Sequence, residues 1–293
     1  RVTASPRHRV TASPRHRVVG FSPSAFCILH FAFCIDIRGS AMYATYVIWS
    51  KHMTKFWHSV GELFGLALQS ILWVVLFGVG MRGMVGNVGG NDYMSYILPG
   101  IIALSALGGA VGGGMVLLDE RLRGITKEYL AAPIPRLSIL LGNATSTATK
   151  ALIQASIMLV VGMLMGARLA VTPLGWLAAM LLLALFAIGF SGLALAVAAV
   201  SRTIGGYHGM IFLFNLPLLF ASNALYPLKV LPTWMQVIVL LNPTTYVIDA
   251  VRALAFGADP TIPLLLSLAV VLLFAILGIW LALSLFQRSV LRG

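Results

Sequence analysis

Charged side chains are concentrated in one stretch of this sequence, DERLRGITKEYLAAPIPR, which covers residues 119 to 136. Long uncharged runs lie on both sides of it. Read as a helix, the stretch has an apolar side formed by Leu122, Ile125, Thr126 and Tyr129. Arg121 and Glu128 lie on another side, with Gly124 between them, and the prolines that follow end the helix. The chemistry available to such a helix is ion pairing, not bond making.

Two interpretations of this helix stay open from physical arguments alone. A short amphipathic helix at a membrane surface can dock into a groove on a soluble partner. It can equally be a solvated loop that flanks two membrane spans.

Signatures of catalysis and metal binding are missing from the rest of the chain. The sequence has no Gly-Lys dipeptide and so no phosphate loop, and it has neither an HExxH motif nor a GxSxG motif. The histidines are scattered, and the cysteines are Cys27 and Cys34, which suggests neither a metal site nor a disulfide framework. We therefore predict no enzymatic activity, no cofactor and no metal on this chain.

The composition is that of an integral membrane protein. Hydrophobic residues make up 59% of the chain and charged residues 10%, too few charges to cover a water-facing surface. The net charge of +12 does not indicate nucleic-acid binding, because the basic residues fall at the edges of apolar runs. Carboxylates fall at the ends of these runs or between them. Proton- or sodium-coupled carriers need such groups within the membrane, so coupling to an ion gradient is disfavoured.

Six runs are long enough to cross a bilayer, which takes about 20 apolar residues. The predicted spans are Leu63–Met81, Tyr96–Leu118, Ala148–Ala167, Trp176–Val200, Gly209–Tyr226 and Ile262–Phe286. The fifth is short and contains Pro217. Lysine and arginine are more frequent before the first span, after the second and after the last, so the positive-inside rule places both termini in the cytoplasm.

One further apolar run, Val230–Ile248, contains Pro232 and Pro243. Prolines in so short a run predict two short helices, which would dip into the outer edge of the membrane.

The first 41 residues differ from the remainder. RVTASPRH occurs twice in tandem and AFCI occurs twice shortly after. We predict a low-complexity leader over residues 1–41, disordered or outside the native protein, and a transmembrane domain over residues 42–293. The alternative is a signal peptide, with a basic arm and an apolar run.

The segment from Tyr43 to Glu62 mixes aromatic and basic residues at helical spacing. This pattern favours a helix that lies in the membrane interface, and the alternative is the flanking start of the first span. The second span carries LGGAVGGGM, where Gly108/Gly112 and Gly109/Gly113 form small-xxx-small pairs that allow helices to approach closely.

Three segments together resemble the permease subunits of type-2 ABC exporters, the ABC-2 membrane family. The branch most similar contains antibiotic-exporter and nodulation-factor-exporter permeases. The charged stretch resembles the family's loop between spans two and three at Glu120, Arg121, Gly124, Glu128, Leu130, Pro133, Arg136 and Gly142. NLPLLFASNALYPLKVLPTWM resembles the end of span five, although Asn223 stands where a small residue is expected. NPTTYVIDAVRAL resembles the motif before span six at Asn242, Pro243, Thr245, Tyr246, Asp249 and Arg252.

The resemblance implies an architecture and a set of partners. Two permease copies, identical or different, would pair around a central path in the plasma (inner) membrane of a bacterial-type cell. Each would dock on a cytoplasmic ATP-binding subunit, which holds ATP and Mg²⁺. The charged stretch would be the coupling helix, with Glu120, Arg121 and Glu128 in force-transmitting ion pairs. The short outer helices would narrow the exit, with Asn242 and Asp249 as caps and Arg252 paired to Asp249.

The function that follows is the membrane permease of an ATP-driven exporter of hydrophobic or amphipathic substrates, such as a drug, a lipid or a lipo-oligosaccharide. The alternatives are an ion-coupled transporter or channel, and a membrane-embedded enzyme or scaffold.

Overall fold

The computed structural model describes residues 23–85, 87–88, 91–132, 134–167, 172–224, 228 and 231–291. Within these ranges the regular secondary structure is helical apart from a two-residue antiparallel ladder, β1 (Asn87–Val88) with β2 (Asn91–Asp92). The helices are α1 (Pro23–His58), α2 (Val60–Val85), α3 (Tyr93–Leu122), α4 (Ile125–Ala131), α5 (Arg136–Leu164), α6 (Pro173–Val200), α7 (Ile204–Phe220), α8 (Thr233–Leu241), α9 (Pro243–Phe256) and α10 (Leu264–Leu291). The predicted all-helical membrane fold is confirmed.

Five of the described helices are long and apolar enough to cross a membrane. They are Val60–Gly78, Met94–Leu122, Arg136–Leu164, Pro173–Val200 and Leu264–Ser289. A sixth span results if α8 and α9, which meet at 86°, are counted as one broken span. The long helices follow from the uncharged runs, because a backbone in hydrocarbon must satisfy its own hydrogen bonds.

The fifth predicted span, Gly209–Tyr226, is not among these five helices. It corresponds to α7, which has 17 residues and contains Pro217. At 1.5 Å per residue this is about 26 Å, less than the hydrocarbon thickness of about 30 Å. Residues 225–227, where the predicted span ended, lie outside the described residues.

Helix α6 lies at the centre of the fold and packs against α3, α5, α9 and α10. Leu183, Phe186 and Phe190 fill the space around it. Its closest neighbour is α10, because Gly278 lies directly against Gly189 and Gly192, and a Cβ on any of the three would collide with the opposing backbone. Small residues at a membrane helix interface allow this approach.

The glycines of α3 divide into two groups. Gly113 packs against Thr147 of α5 so closely that no side chain would fit, and it is the one member of the two predicted pairs that makes such a contact among the described residues. At Gly108, Gly109 and Gly112 a Cβ would meet nothing. Gly114, which follows Gly113, lies equally close to the Tyr207 hydroxyl of α7 and to the Ala194 backbone of α6. The repeated glycines therefore mark close contacts at Gly113 and Gly114 and an open surface at the other three.

By its internal contacts the chain divides into two units, Arg1–Ser40 and Ala41–Gly293. Residues 1–22 of the predicted leader lie outside the described residues, and helix α1 begins at Pro23. Whether residues 1–41 are a leader stays a prediction.

From Ala41 to His58, α1 packs along α5. Ile48 lies against Gly142, and Trp49 Nε1 donates to Thr149 Oγ1 at 3.0 Å. The buried face includes His52 beside Met53 and Phe56, whereas two other aromatic side chains of this segment, Tyr46 and Trp57, are exposed. The helix breaks at Ser59, and α2 begins one residue later.

Candidate coupling site and outer turn

A glycine turn joins α3 to α4 at the charged stretch. Gly124 has φ of 83°, in the left-handed region that side chains other than glycine rarely adopt. Its N–H donates to Arg121 O at 3.1 Å, and Lys127 N donates to Gly124 O at 2.9 Å. The sequence therefore ends α3 and starts α4 within two residues, so that α4 follows α3 directly.

Glu120 is buried and bound within the chain. Its Oε1 lies 2.7 Å from Lys51 Nζ of α1 and accepts a hydrogen bond from Tyr129 Oη of α4 at 3.3 Å. Lys51 also donates to Tyr129 Oη, and its ammonium lies 5.0 Å from the centre of the Tyr129 ring. The Lys51–Glu120–Tyr129 cluster thus connects α1, α3 and α4.

The electrostatics of this cluster favour a charged lysine. Burial works to lower the pKa of Lys51, but hydrogen bonds to Glu120 and Tyr129 outweigh burial, so the pKa is raised above its ordinary value of 10.5. Burial also raises the pKa of the Tyr129 phenol. The cluster is therefore an ion pair with a neutral phenol beside it.

Arg121 binds the end of another helix. Its guanidinium donates to Ala198 O at 3.3 Å and to Ala199 O, both in the last turn of α6. A cation there satisfies free carbonyls and complements the negative end of the helix dipole. With Arg202 and Arg288, Arg121 also lines a pocket of about 340 Å³ beside that end.

The exposed residues of the stretch lie at the end of α3 and along α4. Lys127 and Glu128 are exposed on α4, and Leu130 is half-buried. Arg123 is exposed and pairs with Asp119 at 2.9 Å. Of the predicted apolar side, Thr126 is buried, whereas Leu122 is 52% exposed. Pro133 lies outside the described residues. The predicted coupling residues thus separate into Glu120 and Arg121, which bind within this chain, and Glu128, which faces outward.

At the opposite end of the chain's helices, Asn242 fixes the break between α8 and α9. Its Oδ1 accepts from Thr244 N at 2.9 Å and caps α9, as predicted. Its Nδ2 donates to Leu218 O at 2.8 Å and Ala221 O at 2.6 Å at the end of α7. Pro243 follows at the first position of α9, where its missing N–H costs nothing.

Two neighbours of Asn242 complete the turn. Thr245 Oγ1 donates to Val239 O at 2.7 Å, and Tyr246 Oη donates to Leu240 O at 2.9 Å. Both carbonyls belong to the last turn of α8, and Val239 O also accepts from Asn242 N at 3.2 Å. The polar residues of NPTTY therefore satisfy the backbone at the 86° bend.

Asp249 and Arg252 differ from the prediction. Both are buried within α9, not at a helix end, and Asp249 does not cap α9. Asp249 Oδ2 accepts from Ile262 N at 2.9 Å. Arg252 lies 4.0 Å from the centre of the Tyr96 ring and donates to Tyr96 O and Asn223 O, each at 3.3 Å. The ion pairs of the described residues do not include the expected Arg252–Asp249 pair.

The comparison with known families covers both of these regions. The model of the ABC-2 type transporter family matches residues 43–256, which is most of the chain. This chain belongs to the ABC-2 type transporter family. The match includes the coupling stretch and the outer turn, so the resemblance found in the three motifs is confirmed.

Individual relatives agree with the family assignment. A protein named transport permease ycf38 from Pyropia yezoensis is 32% identical over 218 residues, 70% of this chain and 71% of the relative. Nodulation protein J from Rhizobium leguminosarum bv. trifolii is 27% identical, over 84% of this chain and 91% of the relative. The daunorubicin resistance ABC transporter permease protein DrrB1 from Streptomyces coeruleorubidus is 25% identical, over 81% and 85%. The chain is thus a multi-pass membrane permease of the ABC transporter class.

Among the described residues, no group of three or more His, Cys, Asp and Glu side chains could hold a metal ion. Sequence reasoning had missed Lys51 and Tyr129 as partners of Glu120. The signal that could have found them is charge balance, because a buried carboxylate requires a cation or donors nearby.

Proposed function

We propose that this chain is the permease subunit of an ATP-driven exporter, and that α4 is the helix that docks on its ATP-binding subunit. The observation that carries the proposal is the attachment of α4. The Gly124 turn and the Glu120–Lys51–Tyr129 contacts hold α4 at the end of α3, while Lys127 and Glu128 face outward. A movement imposed on α4 would therefore be transmitted to α3 and α1 rather than absorbed in a loop.

Helix α3 would carry this movement into the membrane. It packs against α5 and α6 along its length, and Arg121 ties it to the last turn of α6. Packed helices transmit displacement because their interfaces have low compressibility. The outer turn at Asn242 lies in the same framework, since Arg252 of α9 stacks on Tyr96 at the start of α3.

The remaining parts of the proposal follow the family. A second permease copy, the same or different, completes the path through the membrane. The partner subunit holds ATP and Mg²⁺ in the cytoplasm. Both termini of this chain also lie in the cytoplasm. The membrane is a bacterial-type plasma (inner) membrane. The relatives named for daunorubicin resistance and nodulation support a hydrophobic or amphipathic substrate.

Co-purification tests the partner. The tagged full-length chain is extracted from native membranes in mild detergent, and the proteins bound to it are identified. We expect an ATPase with a phosphate-loop motif in roughly equal amount, and we expect Glu128→Lys to remove it. Asp259→Lys is the matched control, because Asp259 is an exposed carboxylate between α9 and α10.

The proposal is contradicted if the folded, abundant chain brings down no such ATPase. It is also contradicted, as far as α4 is concerned, if Glu128→Lys and Asp259→Lys release the ATPase equally.

A further inference from the structure

A basic pocket of about 340 Å³ lies where α3, α6 and α10 end. Three arginines line it, namely Arg121, Arg202 and Arg288, and none of the described carboxylates does. The hydroxyl-bearing Ser289 and the apolar Leu285 also take part in the lining. The volume is at the lower end of the range for small-molecule sites in proteins, so the pocket has room for a compact anionic group.

The positive charge of this pocket is not balanced within the described part of the chain. None of the three arginines forms an ion pair with another described residue. The two carboxylates of the charged stretch that are closest in sequence, Asp119 and Glu120, are bound by Arg123 and Lys51. Guanidinium groups around one pocket repel each other, and an anion placed between them removes that repulsion.

Helix ends account for only part of this charge. Arg121 donates to the last turn of α6, and Arg288 lies in the last turn of α10, where cations are favoured. A helix end carries about −0.5 elementary charge, so the ends of α3, α6 and α10 offset about half of the three guanidinium charges. Arg202, which follows α6, makes no hydrogen bond to these ends among the described residues. The pocket therefore keeps a net positive charge.

Arg121 is held in an orientation that suits phosphate. Its Nη1 makes both bonds to the α6 carbonyls, those of Ala198 and Ala199. Its Nε and Nη2 have no acceptor among the described residues. The N–H groups of this free edge form the fork that binds two oxygens of one phosphate or carboxylate.

The pocket lies at the depth of lipid headgroups. The membrane-spanning segments of α6 and α10 end at Val200 and Ser289, and both residues line the pocket. The hydrocarbon layer therefore ends at this level, where lipid phosphates begin. Leu277, Leu281 and Leu285 precede Arg288 on the same side of α10, and Leu277 is exposed. An acyl chain attached to a headgroup in the pocket can lie against this side without leaving the hydrocarbon.

We propose that this pocket binds the headgroup of one anionic phospholipid, whose phosphate accepts hydrogen bonds from Arg121, Arg202 and Arg288. A lipid with a choline headgroup suits the pocket less, because its own cation would lie among the arginines. Basic pockets between membrane helices are typical sites for anionic headgroups. The site lies within one chain, so this proposal does not depend on the ATPase or on a second permease.

Lipid retention with two headgroups tests the proposal. The purified full-length chain is stripped of lipid in detergent. Phosphatidylglycerol or phosphatidylcholine with the same acyl chains is added, and the bound lipid is counted by native mass spectrometry. We expect the chain to retain phosphatidylglycerol and to bind phosphatidylcholine about tenfold more weakly. Equal retention of the two lipids would overturn the proposal.

Arg202→Gln and Arg288→Gln locate the site. Each should weaken the binding of phosphatidylglycerol about tenfold, since one hydrogen bond to a charged group is worth about that factor. Both side chains are exposed, so the thermal stability of the lipid-free variants should match wild type. Arg123→Gln is the matched control, because Arg123 is an exposed arginine at the end of α3 that does not line the pocket. Equal weakening by all three variants would show a general attraction to positive charge and overturn the pocket.

A free anion and the ATPase are the other possible occupants. Inorganic phosphate in large excess should displace phosphatidylglycerol no more than sodium chloride of the same ionic strength does. Displacement by phosphate alone would show a site for small anions and overturn the lipid proposal. Arg202→Gln should leave the amount of co-purified ATPase unchanged. Loss of the ATPase from Arg202→Gln, with normal retention of phosphatidylglycerol, would assign the pocket to the ATPase and also overturn the proposal.

Discussion

The ammonium of Lys51 lies 2.7 Å from the carboxylate of Glu120, and this contact joins helix α1 to the end of helix α3. Glu120 is 7% exposed, so its charge depends on Lys51 and Tyr129 for compensation. Removal of one member of such a pair leaves the other without its partner.

Glu120→Gln should therefore lower the free energy of unfolding by about 1–2 kcal/mol. This value lies toward the lower end of the range for hydrogen bonds to charged groups, because Lys51 is partly exposed to solvent. The measurement is a titration with denaturing detergent. Lys51→Met in the Glu120→Gln background should add little, since the interaction is already lost. Asp119→Asn, which breaks the exposed Asp119–Arg123 pair, is the control and should cost less than about 0.5 kcal/mol. Equal losses from Glu120→Gln and Asp119→Asn would contradict the importance of the buried contact.

His52 should make stability depend on pH. Burial lowers the pKa of His52 below its ordinary value of 6.5. Glu120 opposes this shift, whereas the positive charges of Lys51, Lys150 and Lys55 add to it. The unfolded chain then binds a proton at a higher pH than the folded chain does. Stability is complete above pH 6.5 and declines as the pH falls below this value toward the lower pKa of the folded state. His52→Phe should flatten this part of the stability profile, and an unchanged slope would show that other groups cause it.

The contact between α6 and α10 should not tolerate a side chain. At Gly278 a Cβ would overlap the carbonyl of Gly189. Gly278→Val should cost about 1–3 kcal/mol or more through overpacking, and should lower the yield of monodisperse protein in detergent. Gly205→Val is the comparison, because a Cβ at Gly205 meets nothing. Normal thermal stability of Gly278→Val would mean that the two helices can separate without loss.

Asn242 should contribute more to the stability of the protein than a helix cap alone would. Asn242→Asp keeps the oxygen that accepts from Thr244 N but loses the N–H groups that bind Leu218 O and Ala221 O. We expect a loss of about 1–3 kcal/mol, because the new carboxylate faces carbonyl oxygens. If Asn242→Asp is as stable as wild type while Asn242→Ala is not, then capping alone explains the residue.

Glu128→Lys should affect function and not folding. Glu128 is exposed, and surface substitutions of this kind usually change stability by less than about 0.5 kcal/mol. Membrane insertion and thermal stability should match wild type, while transport coupled to ATP hydrolysis falls. Normal transport at normal expression would remove Glu128 from the mechanism.

The sequence was informative where hydrophobicity decides the structure. Uncharged runs located α2, α3, α6 and α10, and prolines located the break between α8 and α9, because these features act locally. The ends were less accurate. Helix α5 begins at Arg136, well before the predicted span at Ala148, because its first turns pack inside the protein, where the polar side chains of Ser138, Asn143 and Ser146 are buried.

The partners of the charged residues could not be read from the sequence. Arg252 was expected to pair with Asp249 at helical spacing, yet it stacks on Tyr96, which is 156 residues away. Glu120 was expected to face a partner protein, yet it binds Lys51. Such contacts depend on how distant helices are arranged, and helical spacing shows only which residues of one helix are neighbours.

Photo-crosslinking from α4 is the most direct test of the coupling role. A photoreactive amino acid replaces Lys127, and the same replacement is made at Asp259, which is exposed between α9 and α10. After irradiation of native membranes, position 127 should form an adduct with an ATP-binding subunit and position 259 should form none. An ATPase that co-purifies with the chain but is crosslinked from position 259 and not from position 127 would contradict the role of α4.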